Sequence, residues 1–492
     1  MALINVSNLT FSYEGSYDNI FENVSFQIDT NWKLGFIGRN GRGKTTFLKL
    51  LMGEHEYSGA ISTNTNFDYF PIEVKDLTAL TINVLESIAP DVQLWQLQKE
   101  ISKLDVADDV LHRPFNTLSN GEQTKVLLAG LFLRKNSFLL IDEPTSHLDA
   151  AARQTVAEYL KSKTGFILVS HDRFFIDECV DHILSINKND IEVLSGNYTT
   201  WAEQKERQDA FEIAQNKRLK LEIDRLKKAA RQSAAWSNKA EKGKYGIQSS
   251  GLKADRGYVG HKAAKMMKRS KVIENRQNAF IEEKSALLKN IEIAEGLKMQ
   301  PLKFYSDQLL ALNDISVSYG DKEILSGFNL EVTQGERVAL LGKNGSGKST
   351  ILKLLLGKNI PHTGTVKIGS RLIISYVPQD ICFLNGTVRE YAKKRGIDQT
   401  LFMSILHKLD FSRMQFEKDI SDFSSGQKKK ILIAGSLCER AHIYIWDEPL
   451  NYIDILSRVQ IENLILEYDL TMVFVEHDIA FCDNIATKTI QM

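Results

Sequence analysis

The sequence predicts an α/β fold used twice, as two phosphate-loop domains joined by a long antiparallel α-helical linker. Three observations predict it. The first is internal repetition. LTFSYEG at Leu9 returns as ISVSYG at Ile315, GFIGRNGRGKTTFLKLL at Gly35 as ALLGKNGSGKSTILKLL at Ala339, and LSNGEQTKVLLAG at Leu118 as FSSGQKKKILIAG at Phe423. LLIDEPTSHLD at Leu139 returns as YIWDEPLNYID at Tyr444, and LVSHDRFF at Leu168 as FVEHDIAF at Phe474. The offset is 304 from Lys44 to Lys348, 305 from Glu143 to Glu448 and 306 from His171 to His477. Blocks in one order at nearly one offset mean a duplicated domain, and the period is far too long for a solenoid. The second observation is that each glycine-rich loop lies between an apolar, strand-sized run (Leu34–Ile37, Val338–Leu341) and a helix-forming run (Thr46–Leu51, Thr350–Leu355). The third is a middle segment of different character, without proline from Thr145 to Gln300.

The expected boundaries are 1–200 for the first copy, 201–305 for the linker and 306–492 for the second copy. In the linker, Leu219, Ile223, Leu226 and Ala230 share one helical face, and Met266, Ile273, Phe280, Leu287 and Ala294 recur every seven residues. Five glycines between Gly243 and Gly260 interrupt the periodicity. This pattern reads as an outgoing helix from about Trp201 to Trp236, a tip loop near 237–260 and a returning helix, the apolar stripes packing the pair together.

Composition narrows the class. With 492 residues the chain is long enough for two to four domains. Lys and Arg number 62, as do Asp and Glu, so global charge announces no nucleic-acid binder. The neutrality hides an asymmetry: Asn216 to Lys271 holds 17 Lys and Arg against 4 Asp and Glu, a net of +13, which leaves −13 for the rest. A solvated helix face usually mixes signs. An arm this basic, with Trp236, Tyr245 and Tyr258 near its tip, suits RNA phosphates and stacked bases. The four cysteines form no CxxC pair, which argues against a zinc site or disulfide framework and fits a reducing cytosol. The first residues show no signal-peptide pattern, and no run approaches a membrane span, so a cytoplasmic protein is expected.

The loops Gly38-Arg39-Asn40-Gly41-Arg42-Gly43-Lys44-Thr45 and Gly342-Lys343-Asn344-Gly345-Ser346-Gly347-Lys348-Ser349 both match GxxxxGK[ST] and continue into Thr46 and Thr350. Glycines let backbone N–H groups curl around a phosphate, and the helix N-terminus adds partial positive charge. Lys44 and Lys348 would reach the β- and γ-phosphates, and the Thr45 and Ser349 hydroxyls would ligate Mg²⁺. One match could be an ordinary glycine turn; two in register in a duplicated frame are not. Asp142-Glu143 and Asp447-Glu448 follow apolar strands at the carboxyl edge of the expected sheet, where such folds bind ligands. Each Asp would hold Mg²⁺, and each Glu would orient or deprotonate the attacking water. A single acidic pair can be a strand-ending turn, but these recur about 100 residues after their loops. His171 and His477, each followed by Asp, are expected near the γ-phosphate. Tyr13 and Tyr319 precede the loops at matching positions; an aromatic there either stacks on a purine or fills the core.

Phosphate loop, LSNGEQ or FSSGQ signature, DEP carboxylates and switch histidine, in that order and twice over, resemble the nucleotide-binding domains of ABC ATPases. The resemblance covers both copies. It implies two ATPs sandwiched head to tail inside one monomer. The Lys44 loop would face the signature residues Ser424 and Gly426, and the Lys348 loop would face Ser119 and Gly121. It also implies a Mg²⁺-contacting glutamine after the next strand, present as Gln379 in the second copy and replaced by Ile72 in the first. Asn120 and Ser425 each replace a signature glycine.

Two cassettes, no membrane domain and a charged helical linker resemble the ABC-F subfamily, whose members act on ribosomes. NVSNLTFSYEG, TNWKLGFIGRNGRGKTT and YIWDEPLNYID look most like its antibiotic-resistance members of the Lsa type. The spacing from Ile72 to Gly121 (49 residues) nearly equals that from Gln379 to Gly426 (47), so the first cassette carries no inserted arm, and only 15 residues follow His477. By resemblance, the chain would bind the E site of the bacterial 70S ribosome beside P-site tRNA. Its linker would contact large-subunit rRNA and displace lincosamides, streptogramin A compounds and pleuromutilins from the peptidyl-transferase centre. An ABC-F translation factor with no drug role, or the twin-cassette ATPase of a membrane transporter, are the alternatives. No DNA or membrane partner is expected.

Overall fold

A computed structural model describes residues 2–13, 19–134, 136–145, 148–186, 191–242, 301–320, 322–343 and 345–492. Asn344, the side chains of Tyr319 and Trp236, the tip aromatics Tyr245 and Tyr258 and the heptad stripe from Met266 to Ala294 lie outside the described residues. Two compact units emerge: Met1–Trp201 together with Gly296–Met492, and Ala202–Glu295.

The first unit contains both copies. In the first copy a parallel sheet orders its strands Asn66–Phe70, Ser137–Asp142, Phe166–Val169, Lys33–Gly38 and His182–Ile186, with Ile191–Ser195 added antiparallel at one edge. In the second copy the order is Ile374–Val377, Ile443–Asp447, Met472–Val475, Arg337–Leu341 and Lys488–Gln491, all parallel. Strands buried on both faces read as continuous apolar runs, and Leu34, Phe36, Leu140, Ile141, Phe166 and Ile167 are all inaccessible. A three-stranded antiparallel sheet lies beside each parallel one, ordered Phe21–Asp29, Leu3–Phe11, Ser58–Ser62 and Lys322–Thr333, Gln308–Tyr319, Thr363–Ile368. Its inward residues join the phosphate-loop helix in one core: Ile4, Val6 and Ile28 pack with Phe47 and Leu48, and Leu312 and Val332 with Ile351 and Leu352.

This layering aims the loops. Because Lys33–Gly38 and Arg337–Leu341 are central and parallel to their neighbours, both loops, both acidic pairs and both histidines emerge at the carboxyl edge. The strand ahead of the second acidic pair carries Trp446, fully buried, whose Nε1 donates to Ser436 Oγ at 2.9 Å.

In the second unit the described backbone is the helix Tyr198–Lys242, which begins in the first unit and spans 45 residues, about 68 Å at 1.5 Å per residue. It runs six residues past the expected start of the tip loop. Residues 237–242 contain neither glycine nor proline, so nothing local interrupts the helix within its described range. No described helix is long and apolar enough to cross a membrane.

A polar cluster braces the first copy's helical layer. Glu100, on the helix Leu94–Ser102, accepts from Lys103 Nζ at 2.6 Å, Tyr159 Oη at 2.7 Å and Lys163 Nζ. Burial alone would raise its pKa, but these three donors outweigh it and hold the carboxyl down at about 2. A depressed carboxyl stabilises the fold above its unfolded pKa near 4.5 and loses that contribution as pH falls towards about 2. Glu100→Gln is therefore expected to cost on the order of 1–3 kcal/mol at pH 7, shrinking progressively below about pH 4.5. Denaturant midpoints of parent and variant across pH 7 to 3.5 check this; a pH-independent gap would assign the loss to packing.

Candidate active site

Each phosphate loop closes on its lysine. Gly43 (φ 95°) and Gly347 (φ 97°) cap the helices Lys44–Leu51 and Lys348–Leu355 in the left-handed region that only glycine enters cheaply. The lysine and the Thr45 or Ser349 hydroxyl therefore lie in the first helical turn, two residues earlier than the sequence placed the helix. Lys44 Nζ donates to Gly38 O at 2.7 Å and Arg39 O at 3.2 Å; Lys348 Nζ donates to Gly342 O at 2.8 Å and Lys343 O at 2.9 Å. Burial pulls both lysine pKa values down.

Both candidate bases sit on strained backbone. Glu143 (φ 52°) and Glu448 (φ 45°) adopt left-handed conformations that non-glycine residues rarely enter, the kind of strain that collects at functional sites. The same backbone bond holds each: Glu143 N donates to Val169 O at 2.9 Å, and Glu448 N to Val475 O at 3.0 Å. The histidines follow on the same strands, His171 Nε2 lying 3.5 Å from Glu143 Oε1 and His477 Nε2 3.7 Å from Glu448 Oε1. Thr45 Oγ1 donates to Asp142 Oδ2 at 2.8 Å, and Ser349 hydrogen-bonds Asp447.

These residues fit a nucleotide polyphosphate with its cation. Among the described residues the two buried ammonium groups hydrogen-bond only to neutral carbonyls, and Asp447 Oδ1 is buried with no hydrogen-bond partner. A phosphate would give the lysines a charged acceptor, and Mg²⁺, which favours one or two carboxylates plus phosphate oxygens, would complete the Asp447 and Ser349 pair. Bound there, the ion would polarise the transferring phosphoryl group. Lys44 and Lys348 would bind phosphate, Glu143 and Glu448 would orient or deprotonate water, and the histidines would position them.

The first loop meets the second copy's signature. Asn40, Gly41, Glu143 and His171 line a cavity of about 380 Å³ together with Ser424 and Gly426. Asn40 Nδ2 donates to Tyr452 O at 2.7 Å. A Cβ on Gly426 would lie 2.4 Å from that carbonyl of its own cassette and 2.9 Å from Asn40 Nδ2 of the other, so only glycine leaves room for the contact. Ser424 also caps the helix Ser425–Cys438 within a capping box, presenting its N-terminus to the cavity. On the other side, Arg153 Nη1 donates to His477 O at 3.1 Å, and Asp149 lies near enough to raise the pKa of Lys348 against its burial. Ser119 caps Asn120–Phe132 in the same way, but among the described residues no hydrogen bond or ion pair joins Ser119 or Gly121 to the second loop.

The two bases differ in their surroundings. Glu448 Oε2 accepts from Gln379 Nε2 and Asn451 Nδ2, both at 2.8 Å, and His477 leads these partners in holding its pKa below the usual range. Gln379, expected as a Mg²⁺ contact, thus touches the base. At Glu143 the glutamine's place holds Ile72, and burial followed by the Asp142 charge pushes the carboxyl up to about 8. Tyr13 hydrogen-bonds Thr46 Oγ1 at 2.9 Å and packs edge-on against Phe11, leaving 45% of its surface exposed beside the loop. Asn451 and Tyr452 lie in the repeated YIWDEPLNYID block but drew no expected role, and Arg458 and Asp410 carry no motif; only chain packing brings them to the site.

This difference ranks the two candidate bases. Glu448→Gln is expected to lower steady-state ATP turnover at least ~10-fold, because it removes the ionised acceptor that Gln379 and Asn451 hold in place, whereas Glu143→Gln should retain more than about half of it, because burial already pushes that carboxyl towards its neutral form. Phosphate-release rates for both single variants check this. Equal losses would show that the amide contacts do not rank the sites.

The model of the ABC transporter family matches residues 21–146 and 325–451. Over 493 residues the chain is 27% identical to ribosome protection protein VmlR of Bacillus subtilis, covering 96% of this chain and 84% of that protein. It is 28% identical over 508 residues to the ATP-binding protein Uup of Buchnera aphidicola (99% and 80% covered). It is 25% identical over 522 residues to the energy-dependent translational throttle protein EttA of Escherichia coli K12 (95% and 88% covered). Among solved structures, the complex of archaeal ribosome recycling factor aABCE1 with stalk protein aP1 matches with a TM-score of 0.65 at 19% identity, covering 98% of this chain and 87% of that one. Twin matches on the two halves, each carrying the loop, carboxylates and histidine at one sheet edge, mean that the chain belongs to the ABC transporter family as a twin-cassette ATPase of the ABC-F type.

Proposed function

We propose that this chain is a cytoplasmic ABC-F factor that binds the bacterial 70S ribosome in an ATP-dependent way and acts on translation through its basic linker. The observation that carries this reading is the first loop meeting the opposite signature within one chain. ATP bound there would contact both cassettes, so binding would favour a closed pair and hydrolysis would release it. The names of EttA and VmlR, which the chain matches nearly end to end, support the ribosome as the target. The +13 linker segment supports large-subunit rRNA as the contact, and the E site beside P-site tRNA is the docking place that the ABC-F resemblance suggests.

Displacement of lincosamides, streptogramin A compounds and pleuromutilins is a second reading. It is favoured by the likeness to VmlR over 84% of that protein and by the near-equal spacing in the two cassettes, 49 against 47 residues, which leaves no room for an inserted arm. Here the tip near Lys244 and Tyr245 would work close to the drug pocket.

Binding of the Glu143→Gln, Glu448→Gln double variant to 70S ribosomes with ATP tests the first reading. Affinity is expected to fall steeply with salt, and replacing Lys262, Lys265, Lys268 and Arg269 with Gln should cut the log–log slope by about 3–4. Salt-indifferent binding would remove the arm as an RNA contact. Replacing Lys239–Gly257 by a short glycine-serine turn should leave ATP turnover intact. If the parent confers resistance on a susceptible Gram-positive host and this variant does not, the drug reading stands; no resistance from the parent leaves the translation-factor reading alone.

A further inference from the structure

We infer that Asp410 is a positioning residue for the first nucleotide site, acting across the cassette boundary through two arginines of the first phosphate loop. Arg42 Nη2 donates to both carboxylate oxygens of Asp410 at 3.0 Å, and Arg39 Nη1 lies 3.7 Å from Oδ1. Arg39 and Arg42 flank Asn40 and Gly41, the two loop residues that line the cavity. One carboxylate of the second cassette therefore grips the first cassette's loop at both shoulders. Arg42 and Asp410 keep 30% and 26% of their side-chain surface exposed, so the contact is only partly screened, and it is charge-assisted, with the single Nη2 shared between both oxygens.

The carboxylate stands on a rigid base. Lys430, buried on the signature helix Ser425–Cys438, donates to Leu409 O at 3.1 Å and to buried Asp454 Oδ2 at 2.7 Å. Asp410 itself holds a left-handed φ of 70°. The grip thus links the first loop to the same helix whose N-terminus faces the cavity.

The second site has no such device among the described residues. Lys343 and Ser346 stand where the first loop has Arg39 and Arg42. The counterpart of Asp410 is Asp105, with a similar φ of 53°, and it makes no ion pair among the described residues. A second cross-boundary pair has the same polarity: Arg173, two residues after His171, meets Glu462 of the second copy in a buried contact. Arg173 Nη2 also lies 3.8 Å from Asp478, the neighbour of His477, so this pair stands between the two sites, whereas the Asp410 contact touches the first loop alone. The first site should hold nucleotide while the second opens and exchanges.

This inference rests on the head-to-tail ATP reading. The test loads the full chain with radiolabelled 8-azido-ATP and Mg²⁺, removes free nucleotide, and follows label at each cassette by photocrosslinking and peptide mapping. In the parent, label at the first loop should outlast label at the second by about tenfold or more, since breaking a bridging charge pair acts mainly on dissociation. Asp410→Asn should shorten retention at the first loop about tenfold and leave the second unchanged, Asp410→Glu should restore most of it, and Asp105→Asn should alter neither. Equal lifetimes in the parent, an unchanged first site in Asp410→Asn, or the same effect from Asp105→Asn would each overturn the inference. Should Asp410→Asn fail to fold, an Asp410→Glu variant that folds and behaves as the parent supports the grip, and one that shortens both lifetimes equally overturns it. No label at either cassette of the parent would overturn the ATP reading and this inference with it.

Discussion

The first phosphate loop and the second signature approach each other with no room for a Cβ between them. Gly426 faces the Tyr452 carbonyl, and the Asn40 amide donates to that same carbonyl. The Tyr452 carbonyl stands against Gly426 of its own cassette, and the Asn40 side chain of the other cassette comes to 2.9 Å from where a Gly426 Cβ would be, so only glycine leaves room for this bond between the cassettes. The rest of the site follows from it. The signature helix can aim its N-terminus at the cavity, Glu143 is enclosed and its carboxyl is driven up, and Asp410 comes within reach of Arg39 and Arg42.

Duplication supplies symmetry of fold, and local substitutions break symmetry of chemistry. Both glutamates take the same strained backbone and the same bond to the neighbouring strand. Each has a histidine within 4 Å, but Glu448 also accepts from Gln379 and Asn451, and Ile72 stands in the first copy where Gln379 stands in the second. The electrostatic consequence is opposite, a carboxylate held ionised in one copy and pushed towards its neutral form in the other.

The signature serines show how a structural role and a functional one coincide. Ser119 and Ser424 each close a capping box with the residue three places on, which would be reason enough for S-x-x-E/Q. The same cap leaves a helix N-terminus pointing outwards with unsatisfied N–H groups, which is also what a phosphate needs. The long helix Tyr198–Lys242 depends on a simpler rule: no glycine or proline interrupts it over its described length.

The sequence by itself determined the duplication, the two phosphate loops, the strand-end carboxylates and histidines, and the family to which they belong. Those features are local: a glycine turn between strand and helix, or an acidic pair after an apolar run, depends on neighbours in the chain. Ile72 in the glutamine's place was legible for the same reason. Only the tertiary structure decided that Gln379 reaches the Glu448 carboxylate, and that Asn451 does so from three residues away. It alone also brought Tyr452, Arg458 and Asp410 to the first site. Asp410 lies 368 residues from Arg42, in a segment with no motif, and two charges so separated meet only because burying the facing surfaces of the two cassettes forces them together.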